Sequence, residues 1–181
     1  DSSLEETWLA LAAGATLVVA DDETVRLGPD LVAWLATERI TVFCPPPTLL
    51  RSTGCQDPHQ ALPELRLLYV VGEALPADVA ERWSRGRTLV NGYGPTETTV
   101  TVVRERVQPG AAIAIGRPIA GVAAWVLDAD GQEVGAGAAG ELCLGGVALA
   151  RGYRGLPALT AERFQRHPAL GRIYRTGDQA T

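Results

Sequence analysis

The residues best suited to chemistry fall in two short glycine-containing stretches. The first runs Asn91-Gly92-Tyr93-Gly94-Pro95-Thr96-Glu97, directly after a segment that reads as a strand. Open α/β sheets bind ligands beyond the carboxyl ends of their strands, where such a loop lies. Its glycines let backbone approach a ligand closely, and Pro95 stiffens the turn. Tyr93 offers a ring to stack on a base and Thr96 a hydroxyl to a phosphate. Glu97 offers a carboxylate to magnesium, an ion that commonly takes one or two protein carboxylates plus substrate phosphates. On bare spacing, a tight surface turn accounts for the stretch equally well. The second stretch is Tyr174-Arg175-Thr176-Gly177-Asp178. A carboxylate presented after a glycine can accept both hydroxyls of a ribose, although an Asp after Gly is more often a turn residue. A further pair of segments, Gly140–Gly146 and Leu149–Tyr153, alternates apolar positions with glycines and reads as close strand packing rather than a ligand site.

Short helices and strands must position these loops. Ser3 followed by Glu6 has the spacing of a capping box, and the apolar stretch after it stops at Gly14, a helix C′ residue. Thr16 to Ala20 reads as a buried strand. Pro29 opens a helix to about Glu38, followed by a strand from Ile40 to Cys44. Pro45-Pro46-Pro47 forces an extended turn before another short helix. Arg66 to Val71 is a strand, Pro76 to Arg85 a helix, and Thr88 to Asn91 a strand. Such alternation favours a parallel sheet with right-handed crossovers. After about Gln108 the rhythm changes to short antiparallel strands at Val122–Leu127 and Glu141–Leu144, with one helix near Leu159–Phe164. The expected fold is α/β: a parallel-sheet subdomain over 1–108 followed by a small β-barrel-like subdomain over 109–181.

Composition narrows the function. The 181 residues carry 16 basic and 21 acidic side chains, for a net charge of −5, with 46% hydrophobic residues, a globular balance. Nucleic-acid and anionic-membrane binding, which need clustered basic charge, are disfavoured. The longest nearly apolar stretch, Trp8 to Ala20, is shorter than the roughly 18 residues a bilayer crossing needs. Cys44, Cys55 and Cys143 form no CxxC pair, and with only His59 and His167 they make no zinc pattern. The cysteine count and the absence of a leader pattern point to the cytoplasm. Every one of the 16 basic residues is Arg, so any step needing a lysine must draw it from elsewhere.

Five motifs occur in order. They are the Asp1-Ser2-Ser3-Leu4-Glu5-Glu6 opening, NGYGPTETT at Asn91–Thr99, GRPI at Gly116–Ile119, the GELCLGG and LARGY pair, and YRTGD. Together they resemble the adenylation domains of nonribosomal peptide synthetases, within the adenylate-forming superfamily. The resemblance implies that an amino-acid carboxylate attacks ATP to give an aminoacyl-adenylate and pyrophosphate. The phosphopantetheine thiol of a carrier protein then takes the acyl group. It implies ATP and Mg2+ as cofactors, and a condensation domain and a small activator protein as possible further partners. By motif match, Tyr93 packs on adenine, Asn91 faces its edge beside Gly92, Thr96 touches the α-phosphate, Glu97 holds magnesium and Asp178 binds the ribose. Asp1 matches the carboxylate that clamps the substrate ammonium, a charge-assisted contact. The pocket maps onto Ser2, Glu5, Cys44, Tyr69, Val71, Gly92, Val100 and Thr101. Glu5 is the pocket's one charged residue besides Asp1, which suggests a lysine-like or ornithine-like substrate, because a buried carboxylate needs a partner.

The family's upstream glycine-rich phosphate loop and its lysine-bearing C-terminal domain have no counterpart in these residues. The chain is therefore expected to be one part of a longer enzyme and inactive alone. A plain acyl- or aryl-CoA ligase is a neighbouring reading, against which Asp1 argues, since such substrates offer no ammonium. A nucleotide-binding or interaction module without turnover is the alternative from another class.

Overall fold

A computed structural model describes residues 2–181, the side chains of Ser2 and Val25 apart. Asp1 lies outside the described residues. The chain divides into two compact units: one runs to Tyr93 and takes in Arg104–Gly116, and the other comprises Gly94–Val103 and Arg117–Thr181.

In the first unit, local signals set the helix ends. Helix α1 (Ser2–Ala12) stops where Gly14, at φ +64°, turns the chain, and the Ala15 N–H donates back to the Ala10 carbonyl at 2.8 Å. That is the six-to-one closure that satisfies carbonyls at a helix end. The capping box expected at Ser3 is absent. Ser3 lies inside α1, and its carbonyl accepts the Thr7 hydroxyl at 2.8 Å. Helix α2 (Asp22–Val25) is capped by Asp21, whose carboxylate accepts from the Thr24 N–H. A 3-10 turn at Gly28–Asp30 leads into α3 (Leu31–Thr37), as Pro29 foretells. Helices α4 (Pro47–Ser52) and α5 (Pro58–Ala61) each begin on a proline, whose missing N–H costs nothing there. Helix α6 spans Ala77–Trp83.

Strands β1 (Val42–Phe43), β2 (Leu67–Val70) and β3 (Thr88–Tyr93) pair in parallel, with Leu68 opposite Phe43 and Leu89. Their apolar residues meet the helices in one core, in which Leu35, Leu50, Leu68, Val70, Val79, Trp83 and Leu89 are all at most 1% exposed. Thr16–Ala20 is not the buried strand its composition suggests: it pairs with no strand and is exposed, Val19 by 80%. β-branched residues favour a strand only where a neighbouring strand and a packed face receive them.

Strands β4 (Val103–Arg106) and β5 (Arg117–Pro118) follow. The second unit is built on an antiparallel sheet of β6 (Val122–Leu127), β7 (Gly140–Gly146), β8 (Phe164–His167) and β9 (Gly171–Ala180), in the order β6-β7-β9-β8, with α7 (Pro157–Arg163) before β8. This sheet is open and does not close into the barrel-like form expected. The run Gly135–Gly140 carries no strand that could close it until β7 begins. Among the described residues no helix is long and apolar enough to cross a membrane.

Candidate functional site

The parallel register of the first unit brings Cys44, Val71 and Asn91–Tyr93 to the carboxyl ends of β1, β2 and β3. This is the edge at which open α/β sheets take ligands. Tyr69 is buried within β2, and Val71 is half-buried just beyond it. Asn91 is 5% exposed, and its amide donates to the Ala114 carbonyl at 2.9 Å, so part of its hydrogen-bonding capacity fixes the segment that returns after β4. Gly92 is buried beside it. Cys44 lies in the electrostatic reach of α1. Burial first, then the charges of Glu6 and Glu5, push its thiol up to about 12. Burial, with the charge of Glu5, also raises the Glu6 carboxyl. The charges of Glu5 and of Glu6, the last residue of the Asp1–Glu6 opening, thus both act on Cys44. The side chain of Ser2 and all of Asp1 lie outside the described residues.

The second unit holds the rest of the loop. Gly94 passes against the backbone of Val100 and Thr101. Pro95 starts a 3-10 turn at Thr96–Thr98, in which buried Thr98 donates its hydroxyl to the Pro95 carbonyl at 2.9 Å. Thr99 then adopts φ +81°, a conformation β-branched residues rarely take. It is held there by its hydroxyl, which donates to the Ala148 carbonyl at 2.9 Å. The Ala150 N–H donates to the Glu97 carbonyl at 2.7 Å. The LARGY segment, read from sequence as packing, is therefore the cradle of this turn. Thr96 is exposed, Glu97 and Val100 are half-buried, and Thr101 is buried.

Glu97 has a direct side-chain partner that the sequence did not reveal. The Tyr153 hydroxyl donates to Glu97 Oε1 at 2.5 Å. Tyr174, 5% exposed, belongs to the same group. Burial, then hydrogen bonding to Tyr153 and the charge of Glu97, raise its phenol far above the usual range. Burial and the Glu97 hydrogen bond raise that of Tyr153 as well. The available signal was a tyrosine directly after Gly152, in a segment already collinear with the other motifs.

Asp178 sits on an irregularity of β9. Glu141 faces Gln179 and Cys143 faces Arg175, so Thr176-Gly177-Asp178 bulges opposite Leu142. Glu141 fastens the bulge. It pairs with the Arg175 guanidinium and accepts the Gly177 N–H at 3.0 Å, while the Thr176 hydroxyl donates to the Leu142 carbonyl at 2.7 Å. Burial raises the Glu141 carboxyl, but Arg175, the Gly177 N–H and the charge of Arg163 outweigh it and hold the pKa below the usual value. Asp178 is left exposed at the tip.

Among the described residues no cluster of three or more His, Cys, Asp and Glu could cage a metal. A single carboxylate such as Glu97 fits instead an ion that arrives with phosphates and keeps most of its ligands from them and from water.

Known proteins resemble the chain over nearly its whole length. One of the subunits of linear gramicidin synthase from Brevibacillus parabrevis is 45% identical over 182 residues, which cover 98% of this chain and 2% of that protein. Novobiocin biosynthesis protein H of Streptomyces niveus is 42% identical over 185 residues, covering 100% of this chain and 30% of that one. A four-domain nonribosomal peptide synthetase, crystallised in its holo form with AMP and glycine, superposes with a TM-score of 0.84 at 34% identity. That match covers 92% of this chain and 13% of the other. With the AMP-binding enzyme family matching residues 1–154, the chain belongs to that family of adenylate-forming ligases. It spans a small part, 2% to 30%, of these two curated relatives.

Proposed function

We propose that this chain is the part of an amino-acid-activating enzyme that receives the nucleotide and the amino acid. The supporting observation is the Asn91–Thr99 loop, which carries Thr96 and the single carboxylate of Glu97 on a turn anchored at both ends. In this reading the substrate carboxylate attacks the α-phosphorus of ATP, and the bond to the β-phosphate oxygen breaks. Aminoacyl-adenylate and pyrophosphate result. Tyr93 packs on the adenine, with Asn91 and Gly92 beside it. Asp178 accepts the ribose hydroxyls, and Thr96 donates to the α-phosphate. Glu97 holds Mg2+, an ion that offsets phosphate charge in such displacements. These groups act by positioning and charge stabilisation.

Asp1 clamps the substrate ammonium. Ser2, Glu5, Cys44, Tyr69, Val71, Gly92, Val100 and Thr101 line the side-chain pocket, and Glu5 selects a cationic substrate. The acyl group then passes to the phosphopantetheine thiol of a carrier domain. Amino-acid-dependent exchange of labelled pyrophosphate into ATP tests this, with the protein at its native length and a panel that includes lysine and ornithine. Exchange with one or a few amino acids, lost in Asp1→Ala, is expected. Exchange driven instead by acids lacking an amino group would make the protein an acyl or aryl ligase, and ATP binding without exchange would make it a module without turnover.

A further inference from the structure

Glu97 is set in a frame of aromatic residues that the motif reading leaves without a role. The frame starts at Gly152, whose φ of +142° leaves no room for a side chain: a Cβ there would lie 2.3 Å from the Thr160 methyl. Thr160 can therefore reach the backbone of Tyr153, and its hydroxyl oxygen accepts the Tyr153 N–H at 2.9 Å while donating to the Leu156 carbonyl at 2.9 Å. The ring of Tyr153 meets Phe164 edge-on, with centroids 5.7 Å apart, and Phe164 in turn packs on Tyr174 at 5.0 Å. The Arg172 guanidinium covers the Phe164 ring at 4.8 Å. Main chain, ring and hydroxyl of Tyr153 are thus each fixed by a different contact, and the hydroxyl ends on Glu97 Oε1 at 2.5 Å.

We infer that Tyr153 is a positioning residue for the Glu97 carboxylate, holding it in the rotamer that presents its remaining lone pairs to a divalent cation. This rests on the reading of Glu97 as the magnesium ligand. An ionised carboxylate can accept about four hydrogen bonds, so the phenols of Tyr153 and Tyr174 leave capacity for an ion. A phenol donating to a carboxylate makes a short, charge-assisted bond that restrains the acceptor's torsions. A lone carboxylate with several free torsions must be ordered each time the ion arrives, and preorganisation removes that cost. Partners that orient a metal ligand typically account for about 10- to 100-fold in affinity.

The experiment measures ATP binding by calorimetry on the native-length protein, with Mg2+ and again with EDTA in excess. The ratio of the two affinities is the magnesium gain, and it needs no turnover. Tyr153→Phe keeps the ring against Phe164 and removes only the hydroxyl. It is expected to cut the magnesium gain about tenfold while the affinity in EDTA stays as in the wild type. Thr160→Val, which loosens Tyr153 without touching Glu97, is expected to give a smaller cut, and it serves if Tyr153→Phe fails to fold. Glu97→Gln is expected to abolish the gain. A full gain in Tyr153→Phe, or in Thr160→Val should the first variant not fold, with none in Glu97→Gln, overturns the positioning role alone. A full gain in Glu97→Gln overturns the magnesium reading of Glu97, and the positioning role with it.

Discussion

The carbonyl of Val100 closes over Gly94 so tightly that a Cβ on Gly94 would lie 1.7 Å from it. The obstacle is backbone, with the Thr101 Cα at 2.7 Å behind it, so no rotamer change relieves the overlap. The loop must open before any side chain fits. Gly94→Ala is therefore expected to destabilise the protein by about 3 kcal/mol or more, the upper end of the range of overpacked sites. Thermal unfolding checks this, with Gly110→Ala for comparison. That position also has positive φ (+77°) but meets nothing within 4 Å, and its cost should stay near 1 kcal/mol.

Glu141 joins the bulge that carries Asp178 to its own strand. Its folded pKa lies below the unfolded value, so the folded state holds fewer protons and the pair adds stability above the ordinary carboxylate range. That stability is lost as pH falls through the folded pKa. Glu141→Gln is expected to lower stability by about 1–2 kcal/mol at pH 7, less than a fully buried pair because Arg175 is partly exposed. The difference should shrink towards pH 3 in urea titrations. Equal loss at both pH values would mean that shape, not charge, holds the bulge.

Glu6 has the opposite sign. Burial and its neighbour Glu5 raise its folded pKa above the unfolded value. The folded state then binds more protons between the two values, and stability falls as pH rises through that window. Glu6→Gln is expected to raise the melting temperature at pH 7 to 8 and to have little effect at pH 4. A variant less stable than wild type at pH 8 would show that the carboxylate makes contacts worth more than its burial costs.

Burial first, and then the same two carboxylates, protect Cys44. With its thiol pushed up to about 12, thiolate is scarce at pH 8, and the buried Cys143 is held at about 11. Iodoacetamide on the folded protein is expected to label Cys55 first, because burial raises its thiol but the Asp57 backbone N–H, and then Arg82 and Arg87, oppose that rise. Labelling of Cys44 should speed up in Glu6→Gln. Peptide mapping after brief alkylation gives the order directly.

How far the sequence speaks depends on whether a signal is local. Pro29 and Gly14 each fix a helix end through their own backbone chemistry and act where expected, while Pro47, expected in the turn before a helix, is that helix's first residue. Val122–Leu127 matches β6 residue for residue, because its turn, Asp128 to Gly131, is closed by a side chain in sequence reach: Asp128 accepts the Gln132 N–H at 2.8 Å. Thr16–Ala20 fails for the converse reason, since strand formation needs a partner that no local pattern supplies. Ser3 fails because a capping box needs the helix to begin after it, and α1 begins at Ser2. In the candidate site, Glu97 and Asp178 are legible as motif residues, whereas Tyr153 and Glu141, which hold them, lie 56 and 34 residues away from Glu97 and Arg175 respectively. Only folding brings such pairs together.

Glu5 offers the sharpest test of substrate class. It is half-buried on α1, close enough to Cys44 for its charge to act on the thiol. A carboxylate in a pocket keeps its charge at low cost only when a cation faces it. If the substrate side chain is that cation, Glu5→Gln removes one partner of a desolvated pair, a loss of about 1–3 kcal/mol, or roughly fivefold to 150-fold in kcat/KM. The loss should fall on lysine or ornithine and spare neutral amino acids, because a glutamine still donates and accepts hydrogen bonds in the same volume. Steady-state pyrophosphate exchange across the panel, wild type against variant, gives the comparison. Equal losses for basic and neutral substrates would mean that Glu5 supports α1 and the pocket wall, where its position in the first helical turn already favours a negative charge.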